Sequence, residues 1–270
     1  MSELLTVGSF AGLVVEKPQQ RSPTFNALVY GESSVGKTTL VASADAVPAM
    51  RSVLLVDIEK GDLAIRKTPY EPDAVRLTTW AELQQIYHAL YAGGHGYRTV
   101  IIDSLNEVVD LNMKEIMSDD TGEEDETPEW KHWNMNQVRM LRLLRNFRDL
   151  PMNVIFTCLV KEDFDKKTGI TRLLPDLPGK LAGKVPAIFD NVFYYFMKEV
   201  KVERDGATVF ETPRILLTQK TPNTVAKNRG SDVLPQTIVI PPVGQGFIPM
   251  ELIYNAVIGN QSAKLEESKQ

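Results

Sequence analysis

The 270-residue sequence has one cysteine, Cys158, and three histidines, His88, His95 and His132. A single cysteine excludes an internal disulfide framework and fits a reducing compartment. The histidines are scattered, with no ligand spacing, so neither a zinc site nor a thiol nucleophile is supported. No apolar run approaches the roughly 20 residues that cross a bilayer. The start also lacks a basic segment followed by an apolar core, the mark of a secretory leader. These absences predict a cytoplasmic protein without a membrane partner. Basic charge is not in excess either, since the formal net charge is −5. A wholly cationic, polyanion-coating surface is therefore excluded, although local basic patches still bind phosphates.

Much of the acidity is concentrated in residues 119–129, which carry seven carboxylates (Asp119, Asp120, Glu123, Glu124, Asp125, Glu126 and Glu129). Such a block repels itself and stays solvated, which predicts a mobile loop. The rest of the chain is ordinary for a globular protein, at 43% hydrophobic and 24% charged residues. Nearly continuous apolar runs at 25–30, 53–57, 99–103 and 152–158 suit strands buried on both faces of a parallel sheet. Helix-like segments near 37–45, 80–92, 105–118 and 130–149 lie between them. The alternation predicts right-handed βαβ units, hence an α/β core with a mostly parallel, twisted sheet flanked by helices. Further strands are expected at 191–197, 214–218 and 236–240. Residues 1–24 form an N-terminal arm with an apolar patch, Phe10 to Val15, that could join subunits or pack on its own domain. The core is expected over 25–258, with a frayed tail at 259–270.

The most specific motif is Gly31-Glu32-Ser33-Ser34-Val35-Gly36-Lys37-Thr38, a P-loop between an apolar strand and a helix-compatible segment. Its glycines let backbone N–H groups turn toward phosphates at a helix N-terminus. Lys37 is expected on the β and γ phosphates, and Thr38 on Mg²⁺, which implies a nucleotide, ATP, as cofactor. Asp103 ends an apolar strand and suits the second magnesium element, although an Asp there also caps helices. That strand is expected beside the P-loop strand. Asp57 and Glu59 stand on alternate positions, which in a strand would put both toward the nucleotide. Glu59 is thus the candidate base for water, a helix cap or surface turn being the alternative.

These landmarks resemble the RecA-type core, in which a P-loop is followed by a strand ending in Asp-x-Glu whose glutamate is the catalytic base. Asp57-Ile58-Glu59 matches that place, and Val100-Ile101-Ile102-Asp103-Ser104 is similar to its Walker B strand. Lys227-Asn228-Arg229 resembles a Lys-x-Arg element that reaches the neighbouring subunit's γ-phosphate. The resemblance also implies a polar γ-phosphate sensor at Thr157, ending its strand, and a phosphate contact at Thr39. A closer resemblance is to phage RecA-core nucleotide-binding proteins, the Sak-type single-strand annealing proteins or recombinases. It is carried by 30–39, 57–61, 102–105, 148–157 and 175–180, and extends over about 25–230. It implies an ATPase acting on single-stranded DNA as a ring or filament in an infected bacterial cell, with a single-strand DNA-binding protein as a possible partner. It further implies that the loop 161–185, with Lys161, Lys166, Lys167, Arg172, Lys180 and Lys184, contacts DNA. A solvated loop without ligand is the alternative, because Phe164 is the only stacking platform evident there. Trp130 and Trp133 are most simply core or loop-anchoring residues. A guanine-reading Asn-Lys-x-Asp element is not evident. The alternative to a hydrolase is an assembly module that binds ATP and turns it over little.

Overall fold

A computed structural model of the chain describes residues 8–11, 13–15, 24–59, 61–122, 127–167, 169–204, 207–229 and 234–259. Most of the expected arm, the centre of the acidic run and the tail from 260 onward lie outside them. A short antiparallel hairpin, β1 (Gly8–Phe10) and β2 (Leu13–Val15), comes first. The α/β core then runs β3 (Asn26–Gly31), α1 (Lys37–Ala42), β4 (Val53–Asp57), β5 (Asp73–Arg76), α2 (Trp80–Ala92), β6 (Thr99–Asp103), α3 (Leu105–Thr121) and α4 (Trp130–Arg148). It continues through β7 (Asn153–Asp165), β8 (Ile170–Pro175), α5 (Leu181–Ile188) and β9 (Asn191–Met197). The chain ends with β10 (Val200–Arg204), β11 (Ala207–Glu211), β12 (Arg214–Leu217), β13 (Lys227–Asn228), β14 (Thr237–Ile240) and α6 (Pro249–Tyr254).

The central sheet has the order β14-β12-β9-β3-β7-β6-β4-β5, with β8 on β7 and β13 on β9. Strands β9, β3, β7, β6, β4 and β5 are mutually parallel, and β12 and β14 close one edge antiparallel. Strand alternation divides the apolar runs between the two faces. Leu28, Tyr30, Val100, Ile102, Val154 and Phe156 pack with Leu83, Val108, Leu144 and Phe147 of α2, α3 and α4. Ala27, Val29, Ile101, Ile155, Phe193 and Tyr195 face Leu40 and Val41 of α1 and Met250 and Ile253 of α6. Both faces are thus buried, as a parallel sheet requires. Helix α2 starts sharply because Thr79 and Glu82 form a reciprocal capping box.

Three sequence expectations are corrected. Residues 161–185 are not a loop: β7 runs seven residues past Cys158, pairs with β8 as a hairpin, and α5 follows. The polar composition reflects the outer part of the hairpin, which is mostly exposed from Glu162 to Arg172, while Val160, Leu173 and Leu174 at its base pack against the core. The acidic run is helical at its start, since α3 extends through Asp119 and Asp120 to Thr121. Salt bridges from Arg139 to Asp119 and from Lys131 to Asp120 draw those carboxylates onto α4. Finally, β6 does not adjoin the P-loop strand, because β7 lies between them.

Candidate nucleotide site

The parallel strands end together at the loop 31–38. Ser34 (φ 62°) and Gly36 (φ 99°) take left-handed backbone conformations, which turns successive N–H groups into a concave nest ahead of α1. Gly31 is fixed by crowding: a Cβ there would lie 2.0 Å from the Tyr195 carbonyl oxygen on β9. Lys37 is buried, and its ammonium donates to the carbonyls of Gly31 (3.1 Å) and Glu32 (2.8 Å). Burial lowers its pKa from the ordinary lysine value, and the charges of Glu59 and Asp103 act in the opposite sense. Glu32, Ser33 and Ser34 are exposed on the loop, Val35 is buried beneath it, and Thr39 is half-buried on α1.

Asp103 ends β6, almost wholly buried. Its Oδ2 accepts from the Thr38 hydroxyl at 2.6 Å, and its Oδ1 accepts from the Thr157 hydroxyl. Desolvation raises its pKa above the ordinary carboxylate value, against those two hydrogen bonds. Thr157 lies in mid-strand on β7, not at a strand end, and is fully buried. The expected strand end is therefore corrected, and the Thr157 hydroxyl, expected to sense the γ-phosphate, donates to Asp103.

Glu59 is likewise off the strand it was expected to share with Asp57. β4 stops at Asp57, and the N–H groups of Ile58 and Glu59 turn onto the Asp103 carbonyl (2.9 and 3.4 Å). This turn leaves Asp57 buried and Glu59 exposed, with Glu59 Oε1 accepting from the Ser104 hydroxyl. Asp57 Oδ1 accepts from the Gly61 N–H at 2.8 Å. Its buried Oδ2 makes no hydrogen bond among the described residues but lies 3.5 Å from Arg76 Nε.

The donor set suits Mg²⁺, which takes hard oxygen ligands and keeps several waters and substrate phosphates. A Cβ at Gly61 would lie 3.7 Å from Thr38 Oγ1, 3.8 Å from Asp103 Oδ2 and 4.0 Å from Asp57 Oδ1, so these oxygens converge on one spot. Beside the P-loop, a cavity of 230 Å³ opens between Gly36, Thr39, Tyr70, Tyr195, Arg214 and Phe247. Arg214 donates from Nε to the Val35 carbonyl at 2.9 Å. Nothing in the sequence marks it, for it is brought there by β12 lying two strands from β3. Ser104 had a signal, its position next to Asp103.

The other expected site residues are not brought to this place. Lys227 opens β13 and Arg229 follows it; β13 pairs with Val192 and Asn191 at the opposite end of β9 from the P-loop. The Lys227 ammonium lies 3.5 Å from the Ala187 carbonyl, and Arg229 pairs with Asp190 at 3.0 Å. Desolvation, and next the Arg229 charge, lowers the Lys227 pKa. Of the six basic residues in 161–185, Lys166, Lys167 and Arg172 share the β7–β8 hairpin with exposed Phe164. Lys161 donates instead to the Leu177 carbonyl, while Lys180 and Lys184 are exposed at α5. Cys158 is buried, and burial pushes its thiol pKa up, which removes any nucleophilic role. Trp130 and Trp133 are not core residues: they are 80% and 44% exposed. Among the described residues no helix is long and apolar enough to cross a membrane.

A P-loop nest with a buried lysine, and a P-loop threonine hydrogen-bonded to a strand-end aspartate, on a mostly parallel sheet flanked by helices, define a P-loop NTPase fold. The chain belongs to the AAA domain family, whose model matches residues 25–230. Comparison with curated proteins gave no match. Among solved structures, the RadB recombinase is 17% identical, over 73% of this chain and 81% of that one, with a TM-score of 0.39. A prototypical ATPase of the type III secretion system of pathogenic bacteria is 15% identical, over 63% of this chain, with a TM-score of 0.45. EscN, the assembled type III secretion ATPase of enteropathogenic E. coli, is 16% identical, over 63% of this chain, with a TM-score of 0.44. The match spans 51% and 42% of those two secretion ATPases. Such likeness concerns the fold alone.

Proposed function

We propose that the protein hydrolyses ATP, with Glu59 as the general base, and couples this to single-stranded DNA in phage-type recombination or strand annealing. The observation that carries the hydrolytic part is the convergence of Thr38, Asp103 and Glu59 on one end of the sheet, linked through Ser104. Thr38 and Asp103 would hold Mg²⁺, which when bound would supply positive charge beside the phosphates. Lys37 lies within the nest and donates to phosphate oxygens in place of the two loop carbonyls. Glu59, oriented by the Ser104 hydroxyl, accepts the proton of the attacking water. The cavity between Thr39, Tyr70, Arg214 and Phe247 seats the nucleoside, and Arg214 keeps the P-loop in register.

Lys227 and Arg229 act in trans on this reading. Asn228 pairs with Asn191, which pairs with Ala27, four residues before Gly31. At about 3.3 Å per residue this strand segment alone spans roughly 13 Å, so these cations serve a neighbouring copy's phosphates in a ring or filament. The DNA part is supported by the β7–β8 hairpin, which extends the strand beside the P-loop strand and carries Lys166, Lys167, Arg172 and exposed Phe164. Phosphate release per subunit, measured across protein concentration with and without oligo(dT), tests the proposal. We expect the rate to rise with concentration and with DNA. A rate indifferent to both would overturn the assembly and DNA parts, and no release would overturn the hydrolase.

A further inference from the structure

We propose that the groove between the first half of α4 and the turn before α5 binds unpaired nucleobases, making it a stacking site for single-stranded nucleic acid; this rests on the DNA function proposed above. The groove is a 440 Å³ cavity, within the range of small-ligand pockets, whose walls include Trp130, Trp133, Asn134 and Gln137 on one side and Pro178 and Lys180 on the other. The spacing 130, 133, 134, 137 follows the 3.6-residue turn, so one helix face presents two indoles and two side-chain amides. Tryptophans this exposed are unfavourable on a free surface without a ligand to cover them.

The chemistry selects bases over an apolar peptide. Indole faces stack on any base, amides offer both donors and acceptors to base edges, and the exposed Lys180 ammonium suits a phosphate. The helix wall is anchored rather than adaptable: buried Asn136 accepts from Asn112 Nδ2 (3.0 Å) and donates to the Val109 carbonyl (3.0 Å). Asp120 and Glu129, near the groove in sequence, each pair with Lys131 at 2.7 and 3.7 Å. The opposite wall also continues directly from the basic hairpin. Pro175 pairs with Val160, and the next five residues lead to Lys180. A strand crossing Lys166, Lys167 and Arg172 would therefore reach the groove along one continuous segment.

The three tryptophans make the test direct, because Trp80 is 3% exposed and reports little of the surface. The full chain is titrated with oligo(dT), following intrinsic fluorescence and the anisotropy of a labelled oligonucleotide, with duplex DNA of equal length in parallel. The expected result is quenching by oligo(dT) and weak quenching by duplex. Trp130→Ala and Trp133→Ala should each lower oligo(dT) affinity roughly 5- to 100-fold, with unchanged melting temperature and ATP affinity. Trp130→Phe and Trp133→Phe, which keep a stacking face, should stay within a few-fold of the parent and serve if the alanine variants misfold. Unchanged anisotropy binding in the tryptophan variants would overturn the groove while leaving the DNA function standing. Loss of a higher oligomer in those variants, seen by light scattering without loss of DNA binding, would make the groove a subunit contact and also overturn it. No binding of oligo(dT) by the parent chain would overturn both.

Discussion

Arg214 is a side chain whose effect depends on a single contact. Its Nε reaches the Val35 carbonyl from β12, and a Cβ on Gly36 would come within 3.5 Å of the same atom. The guanidinium is thus a brace between the closing edge of the sheet and the phosphate loop. A charge-assisted hydrogen bond to a backbone carbonyl contributes about 1.5–3 kcal/mol. Arg214→Ala should therefore weaken ATP affinity roughly tenfold, measured with a fluorescent nucleotide, and Arg214→Lys should recover only part of it because the planar fork is lost. Gly31 has the opposite character, for no other residue fits against Tyr195. It was legible in the P-loop motif for its role near phosphate, but the contact that excludes a side chain comes from β9, 164 residues later.

At the scale of elements, seven strands and four helices of the core were readable because the strands are short apolar runs and the helices carry amphipathic spacing. The runs at 53–57, 99–103 and 191–197 are found with those bounds. The second half of β7 and all of β8 were not readable. A projecting hairpin needs no buried face, so Lys161 to Arg172 has the composition of a loop. Among the site residues, Asp103 was legible as a strand end, and Glu59 was legible by type and place. Its geometry was not, because the chain turns after Asp57 onto the Asp103 carbonyl rather than continuing as strand. The hairpin gives a test at this scale. Joining Asp163 to Arg172, which are cross-strand partners, through an Asn-Gly turn removes the tip while keeping the register. Oligo(dT) affinity should fall at least tenfold by anisotropy. ATP affinity should hold, because Thr157 lies in the retained, buried half of β7.

Over the whole molecule, two sheet faces form separate cores that share the strands, and Tyr30 and Tyr195 bury their phenols one in each. Burial raises both pKa values, Tyr195 up to about 12 and Tyr30 further, and the Tyr30 hydroxyl donates to the Val225 carbonyl (2.6 Å). The folded state therefore keeps protons that the unfolded chain releases near pH 10. Their stabilising contribution is complete below pH 10 and is lost as pH rises through the folded values. Urea midpoints should fall steadily from pH 10 toward 12, and Tyr195→Phe should flatten that fall.

The same two-faced sheet gathers Thr38, Asp103 and Glu59 at one end and Lys227 and Arg229 at the other, so the proposed function requires copies to assemble to complete the site. Its central element is Glu59 facing the Thr38–Asp103 pair. The most direct measurement is single-turnover ATP cleavage by Glu59→Gln beside the parent chain, each at saturating ATP and Mg²⁺ with nucleotide affinity determined separately. Cleavage slowed by about 10²–10⁴-fold, with ATP affinity within a few-fold, is the predicted result. Cleavage at the parent rate in Glu59→Gln would contradict it.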